Sequence, residues 1–333
     1  MVNLNQTGLP VDLISSELEE LVSNRLAAVE ELLVETCKSD IDFINQMTTH
    51  LVTAGGKRFR PLISILAATL GDINKLEVIK AAVVIELTHL ATLYHDDVMD
   101  EAKLRRGAAS ANSRFGNAAA ILSGDFLFAR ASELVADLGP DAVRLQAQTF
   151  ERLVTGQLME TVGPAPGIDP VEHHLAVLSE KTGSLIATAA QFGAEFSGAN
   201  ASDIAAMRNY GEAIGVAFQL IDDIIDLTSD SKYSGKVPGT DLLEGVPTLV
   251  PLLIKRANHP ADKELILALS DDVTSEMLPQ LLVEIRGHRA IQDANEVART
   301  WAEKAKIAIQ NISNLETRDI LVSMCDATIN RQN

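Results

Sequence analysis

Aromatic residues are scarce in this chain: one Trp, three Tyr and nine Phe make up 4% of 333 residues. Apolar residues still reach 47%, with abundant Ala, Leu and Ile, and few stretches alternate apolar and polar residues as a half-buried strand would. This composition predicts an all-α fold, one large helical bundle packed through small side chains. Basic residues are also in deficit. With 28 Lys and Arg against 46 Asp and Glu, the net charge is −18 and the pI near 4.8. That excludes a nucleic-acid partner, because a phosphate backbone demands a basic surface. The two cysteines, Cys37 and Cys325, have neither metal nor disulfide spacing. No stretch of about 20 residues is free enough of charged and polar breaks to span a bilayer, so membrane contact is peripheral at most. The opening residues lack the charged and apolar regions of a signal peptide, and a cytoplasmic location is expected.

Nothing in the middle of the chain has the composition of a linker, so residues 13–333 are read as one domain behind a tail of residues 1–12 that contains Gly8 and Pro10. Apolar residues at helical spacing predict helices over Leu13–Thr36, Asp40–Thr53, Pro61–Leu70, Lys75–Asp97, Ala118–Leu138, Asp141–Val162, Pro170–Phe196 and Ala201–Leu227. Four or five more follow between Leu249 and Ile329, interrupted at His259-Pro260 and around Gly287. Two polar stretches, Glu101–Gly116 and Ser229–Pro247, are predicted loops; both carry basic residues and glycines.

Each loop follows a copy of the same acidic pentapeptide: Asp96-Asp97-Val98-Met99-Asp100 and, 126 residues on (222 − 96), Asp222-Asp223-Ile224-Ile225-Asp226. In a helix the first and last Asp lie one turn apart on one face, where carboxylates repel unless a cation sits between them. Hard oxygen ligands suit Mg²⁺, which keeps water and borrows further ligands from substrate phosphates. One copy is weak evidence in an acidic chain. Two copies, each closing an apolar run such as Ala81–Leu87 or Ala213–Phe218, predict a metal-assisted polyphosphate clamp.

Basic clusters stand where such a clamp needs them. Gly55-Gly56-Lys57-Arg58-Phe59-Arg60-Pro61 sets glycines before cations, so that backbone and guanidinium groups can reach an anion. Arg105-Arg106-Gly107 begins five residues after Asp100. Lys181-Thr182-Gly183 and Lys236 are ordinary in isolation, and His89 and Gln219 have the default reading of satisfied core residues.

Taken in order, these segments resemble the trans-isoprenyl diphosphate synthases, the polyprenyl synthetase family, over about residues 20–330. The family's sequence of motifs is GGKRxRP, DDxxD followed by RRG, a GQ pair, a KT pair and FQxxDD; this chain has Gly55–Pro61, Asp96–Asp100 with Arg105–Gly107, Gly156-Gln157, Lys181-Thr182 and Phe218–Asp223. The resemblance implies a central cavity between the two helices that bear the aspartate motifs. It implies Mg²⁺ ions, three per active site with substrate bound, held by Asp96, Asp100 and Asp222 with Asp97, Asp223 and Asp226 assisting. Arg105, Lys181 and Lys236 would neutralise an allylic diphosphate (farnesyl or geranylgeranyl), with Thr182 and Gln219 beside it; isopentenyl diphosphate would lie on Lys57, Arg60, His89 and Arg106. A homodimer is implied as well.

One position departs from the family pattern: DxxxGKxT reads Asp241–Thr248 here, with Val246 in place of the lysine. In the family, the residue five before the first motif lines the tunnel for the growing chain. Here it is Ala91, with Thr92 beside it and Leu87 one turn deeper as a possible floor. Small residues leave the tunnel open and predict an all-trans product of about C35 to C50, as for quinone side chains, with geranylgeranyl diphosphate as the alternative. His95-Asp96 is also the doublet of HD phosphohydrolases, but His173-His174 is the only other cluster, and the second acidic motif stays unexplained. A silent partner subunit of a two-component synthase would lack the motifs that are intact here.

Overall fold

A computed structural model describes residues 15–229 and 238–331. The expected tail, residues 1–12, and Lys236 lie outside the described residues. The helices are α1 Ser16–Cys37, α2 Asp42–Thr48, α3 His50–Thr53, α4 Phe59–Ala68, α5 Leu76–Met99, α6 Ala111–Phe115, α7 Asn117–Ala136, α8 Pro140–Val162, α9 Pro170–Leu178, α10 Ser184–Ser197, α11 Ala201–Thr228, α12 Thr240–Leu243, α13 Leu249–Ala257, α14 Lys263–Ala268, α15 Leu278–Arg286, α16 Ala290–Ala308 and α17 Leu315–Asn330. The all-α expectation holds, and no described helix is long and apolar enough to cross a membrane.

The helices gather in two units, each discontinuous in sequence. One comprises the chain up to Glu151 with Leu185–Gly211 and Ala308–Met324; the other comprises Arg152–Ser184, Glu212–Ile307 and the chain from Cys325. In the first unit, α1 starts where the Ser15 hydroxyl accepts the Leu18 N–H and Glu17 and Glu19 face the helix dipole. Its buried stripe, Val22, Leu26, Val29, Leu33 and Cys37, follows the helical period. α5 is buried on nearly all sides between Val78 and Leu90, which is why its sequence runs apolar without a polar face. Scarce aromatics have their counterpart in close approach: a Cβ on Gly193 would lie 2.0 Å from the Ser64 carbonyl. The second unit packs Val216, Leu220 and Ile224 of α11 with Leu253 and Ile254 of α13 and Leu282 and Ile285 of α15.

Four local features differ from the sequence expectation, one of them the short helix α12, Thr240–Leu243, within the expected loop Ser229–Pro247. Asp40–Thr53 is two short helices divided at Thr49, where the Thr48 hydroxyl donates to the Cys37 carbonyl at 2.6 Å and the Thr49 hydroxyl to Asn45 at 2.6 Å. Glu101–Gly116 contains a hairpin of β1 Leu104–Arg105 and antiparallel β2 Ala108–Ala109, followed by α6. Pro170–Phe196 is interrupted by a π-helical turn, Ser179–Gly183, which carries Lys181 and Thr182.

Candidate active site

Both aspartate motifs sit at the C-terminal end of a long helix, Asp96–Asp100 on α5 and Asp222–Asp226 on α11, and neither helix has a basic residue in its last turn. Three carboxylates at the negative end of a helix dipole are electrostatically uphill and call for a cation from elsewhere. The burial pattern repeats as well. The middle aspartates, Asp97 and Asp223, are buried, whereas Asp96, Asp100, Asp222 and Asp226 keep open surface.

In the first unit, Arg105 ties back to the motif: its Nε donates to Asp97 Oδ1 at 2.6 Å, and Nη2 lies 4.0 Å from Asp100 Oδ2. The pairing Arg105↔Ala108 leaves Arg106 and Gly107 as a two-residue turn with φ of 55° and 78°, the sign that a type I′ hairpin needs. Arg106 adopts this strained backbone while its guanidinium donates to the Leu51 carbonyl at 3.0 Å and to that of Gly55. Gly56 makes the room, since a Cβ there would meet Arg106 Cζ and Arg58 Nη1, both at 2.9 Å. The glycine pair thus admits two guanidinium groups, beyond the anion approach that its sequence suggests.

Arg58 is a core residue. Its guanidinium binds Glu30 at 2.6 and 2.8 Å and Glu86 at 3.2 Å; burial opposes its charge, and the two glutamates hold its pKa above the ordinary value. Arg60 differs, because its Nε is buried without a hydrogen-bond partner among the described residues. Burial lowers the pKa of both Arg60 and Arg106, only partly offset by Glu86. His89 lies in the field of this cluster: burial first, then Arg60, Arg106, Arg105 and Arg58, push its pKa well below 6.5. The imidazole is therefore neutral near pH 7 and can donate a hydrogen bond to an anion. Lys57 is exposed at the edge of the same segment.

In the second unit the π turn sets the KT pair. Lys181 Nζ reaches Glu160 at 2.6 Å, and Arg152 clamps the turn through Glu180 at 2.8 and 3.0 Å and Glu212 at 2.9 Å. Gly156 lets α8 touch the turn, since a Cβ there would lie 2.7 Å from the Lys181 nitrogen. Thr182 Oγ1 donates to Gln219 Oε1 at 3.4 Å and Gln219 Nε2 to Asp223 Oδ1 at 3.0 Å, so the KT, FQ and DD motifs are joined side chain to side chain. Sequence reasoning missed Arg331, which pairs with Asp222 at 2.7 Å and lies 5.2 Å from the centre of the Phe218 ring. It also missed His174, 3.5 Å from Asp223 Oδ2. No local pattern marked Arg331, and the His173-His174 doublet was read only against the HD phosphohydrolase pattern.

Ala91 and Leu87, expected along a product tunnel, are fully buried. Thr92 is half-buried, with its hydroxyl on the His89 carbonyl at 2.8 Å. A cavity of about 440 Å³ in the first unit is lined from α5 by Thr88 and His95, on a neighbouring stripe of the helix, and from α7 and α8 by Phe128, Gln146 and Phe150 among others. Its wall includes the ring pair Phe128–Phe150, with centroids 4.4 Å apart.

The donor set fits Mg²⁺. All six motif side chains are hard carboxylates, and four of them, Asp96, Asp100, Asp222 and Asp226, keep surface open to an ion. Among the described residues no three His, Cys, Asp or Glu side chains close into a metal cluster.

A family model described as polyprenyl synthetase matches residues 41–284. The chain belongs to the polyprenyl synthetase family, the Mg²⁺-dependent trans-prenyltransferases that join isopentenyl and allylic diphosphates. It is 42% identical over 323 residues, 96% of each chain, to nonaprenyl diphosphate synthase of Mycobacterium tuberculosis. Among solved structures it is similar to geranylgeranyl pyrophosphate synthase of Corynebacterium glutamicum complexed with calcium and isoprenyl diphosphate. That match has a TM-score of 0.85 and 42% identity and covers 95% of this chain and 97% of the other. A polyprenyl synthase of Caulobacter crescentus, complexed with the same ligands, matches with a TM-score of 0.87 at 31% identity, covering 98% and 99%.

Proposed function

We propose that this prenyltransferase extends farnesyl or geranylgeranyl diphosphate with isopentenyl diphosphate to an all-trans polyprenyl diphosphate of about C35 to C50, destined for quinone side chains. The observation that carries the anion chemistry is the cluster of Arg58, Arg60, Arg105 and Arg106 around a neutral His89, with a buried Arg60 N–H left without a partner. A buried donor left unmade costs about 1–3 kcal/mol, a deficit that a diphosphate oxygen removes. Lys57, Arg60, His89 and Arg106 hold the isopentenyl diphosphate. Arg105 and Lys181 serve the allylic diphosphate, with Lys236 and Gln219 assisting.

Asp96, Asp100 and Asp222 hold the Mg²⁺, three ions when substrate is present, and Asp97, Asp223 and Asp226 support them. Bound there, the ions supply the positive charge that stabilises a departing diphosphate. The protein's own share is to fix both diphosphates, keep water from the allylic cation and leave its double-bond partner aligned for attack before a proton is lost. The long product is supported by small Ala91 and Thr92 on the helix of the first motif and by the nonaprenyl product in the name of a 42% relative. A shorter, geranylgeranyl product has support from the equally similar Corynebacterium enzyme. We also read residues 13–333 as one working domain, a homodimer in the cytoplasm.

Incubating the purified chain alone with isopentenyl diphosphate, farnesyl diphosphate and Mg²⁺, then sizing the products by chromatography, tests the reaction and the product length. Products of seven to ten isoprene units confirm the reading, and products that stop at four select the shorter one. No elongation by the chain alone refutes both and leaves a silent subunit.

A further inference from the structure

The hydrogen-bonded line Thr182–Gln219–Asp223 ends on two atoms that lack what they need. Among the described residues Asp223 Oδ2 is buried and has no hydrogen-bond partner, and neither has His174 Nε2, which faces it from α9 at 3.5 Å. Their side chains are only 8% and 7% exposed. A buried unsatisfied polar atom is disfavoured by about 1–3 kcal/mol, so two that face each other are held for a reason other than packing. A contraction of about half an ångström brings them within an ordinary N–H···O⁻ distance. In the first motif the middle aspartate has one oxygen, Asp97 Oδ1, held by Arg105 at 2.6 Å.

We propose that His174 is the positioning residue of the second aspartate motif. In the tautomer with hydrogen on Nε2, it donates to Asp223 Oδ2 while Gln219 holds Oδ1, so both oxygens of Asp223 are engaged on the buried side of α11. Asp222 and Asp226, the partly open carboxylates of the motif, are thereby kept in the orientation that binds a divalent ion. The same pentapeptide is backed by a permanent cation in one copy and by an imidazole in the other. The inference rests on the reading that Asp222 ligates metal.

The test is a titration of the full chain with Mn²⁺ in the presence of inorganic diphosphate, followed by electron paramagnetic resonance. His174→Phe keeps the ring volume without the donor, and His174→Gln places an amide N–H near the position of Nε2. His174→Phe is expected to weaken Mn²⁺ binding about tenfold and to raise the Mg²⁺ needed for half-maximal turnover by the same factor, with KM for isopentenyl diphosphate unchanged. His174→Gln should return to within about threefold of the wild type. His174→Leu replaces His174→Phe should the latter not fold. Unchanged Mn²⁺ binding in the apolar variant, or equal losses in the apolar and Gln variants, overturns the inference. A wild type that binds Mn²⁺ but makes no prenyl product overturns only the functional reading, whereas one that binds no Mn²⁺ overturns both.

Discussion

Gly156→Ala is the substitution whose consequence follows most directly from the geometry. The new methyl carbon would stand 2.7 Å from the Lys181 nitrogen, 3.0 Å from Glu180 Cβ and 3.1 Å from the Glu180 carbonyl carbon. Two of these are backbone atoms, so no side-chain rotation relieves the contact. Restoring an ordinary separation needs a shift of about 0.8 Å between α8 and the π turn. The shift meets resistance, because Arg152, four residues earlier on α8, is bonded to Glu180 and Glu212. Overpacking of this kind costs about 1–3 kcal/mol. The Thr182–Gln219 bond, already 3.4 Å, does not survive such a movement, and the Lys181 ammonium is displaced with it. The expected outcome is a lower melting temperature together with an approximately tenfold higher KM for the allylic diphosphate, while KM for isopentenyl diphosphate stays within about twofold. Gly71→Ala is the control: its Cβ would lie 2.5 Å from the Ser197 carbonyl, a comparable clash that involves no motif residue, and it should lower stability alone. Initial rates with each substrate varied, beside thermal unfolding, distinguish the two. A Gly156→Ala enzyme with wild-type KM values, or kinetic effects shared equally by Gly71→Ala, refutes the claim that this glycine exists to position the KT pair.

Other substitutions address the remaining parts of the site. Asp96→Ala and Asp222→Ala should each lower turnover at least about a hundredfold without unfolding the protein; near-wild-type rates in either, or full activity in EDTA, contradict metal-assisted departure. Arg60→Ala should raise KM for isopentenyl diphosphate more than that for the allylic substrate, and Lys181→Ala the reverse, and identical effects on both substrates would remove the assignment of two diphosphate sites. His89 has a folded-state pKa below its unfolded value of about 6.5, so as pH falls past that value the unfolded chain takes up a proton that the folded one resists. Its contribution to stability is complete above about pH 6.5 and declines toward the depressed folded value. Denaturant unfolding between about pH 7 and pH 5 should therefore show a smaller acid loss for His89→Gln than for the wild type, and parallel curves would contradict it.

The motifs were legible because each is short and local: a pair of aspartates one turn apart, or cations beside glycines, can be read within a few residues. Helices with a clear apolar stripe, such as α1, were equally legible. The π turn was not, because Pro170–Phe196 keeps its apolar content through the extra residue and the helical period alone does not register it. The Arg106-Gly107 turn carried a usable signal in its glycine, but the flanking strands are two residues each, too short for alternation to appear. Arg58 reads as one more cation of its segment; only the fold brings Glu30 and Glu86, each 28 positions away, against it. Arg331 and Asp222 are 109 residues apart (331 − 222), and no spacing rule connects them.

Charge poses a further question, since a chain of net charge −18 must attract two diphosphates. Screening resolves the contradiction: at physiological ionic strength exposed charges lose influence beyond about 8 Å, so local cations decide. Those cations are not equivalent. Arg58 is matched by Glu30 and Glu86, and its pKa is raised; Arg105 is matched by Asp97. Arg60 and Arg106 have pKa values lowered by burial, Arg106 donates through Nη1 to the Leu51 and Gly55 carbonyls, and Arg60 keeps a buried Nε–H without a partner among the described residues. A guanidinium remains protonated through such a shift, so both side chains stay cationic where burial disfavours charge. The two arginines assigned to isopentenyl diphosphate are thus both buried cations whose burial Glu86 offsets only in part. Anion binding restores to them what burial removed, and the acidic remainder of the surface does not enter that balance.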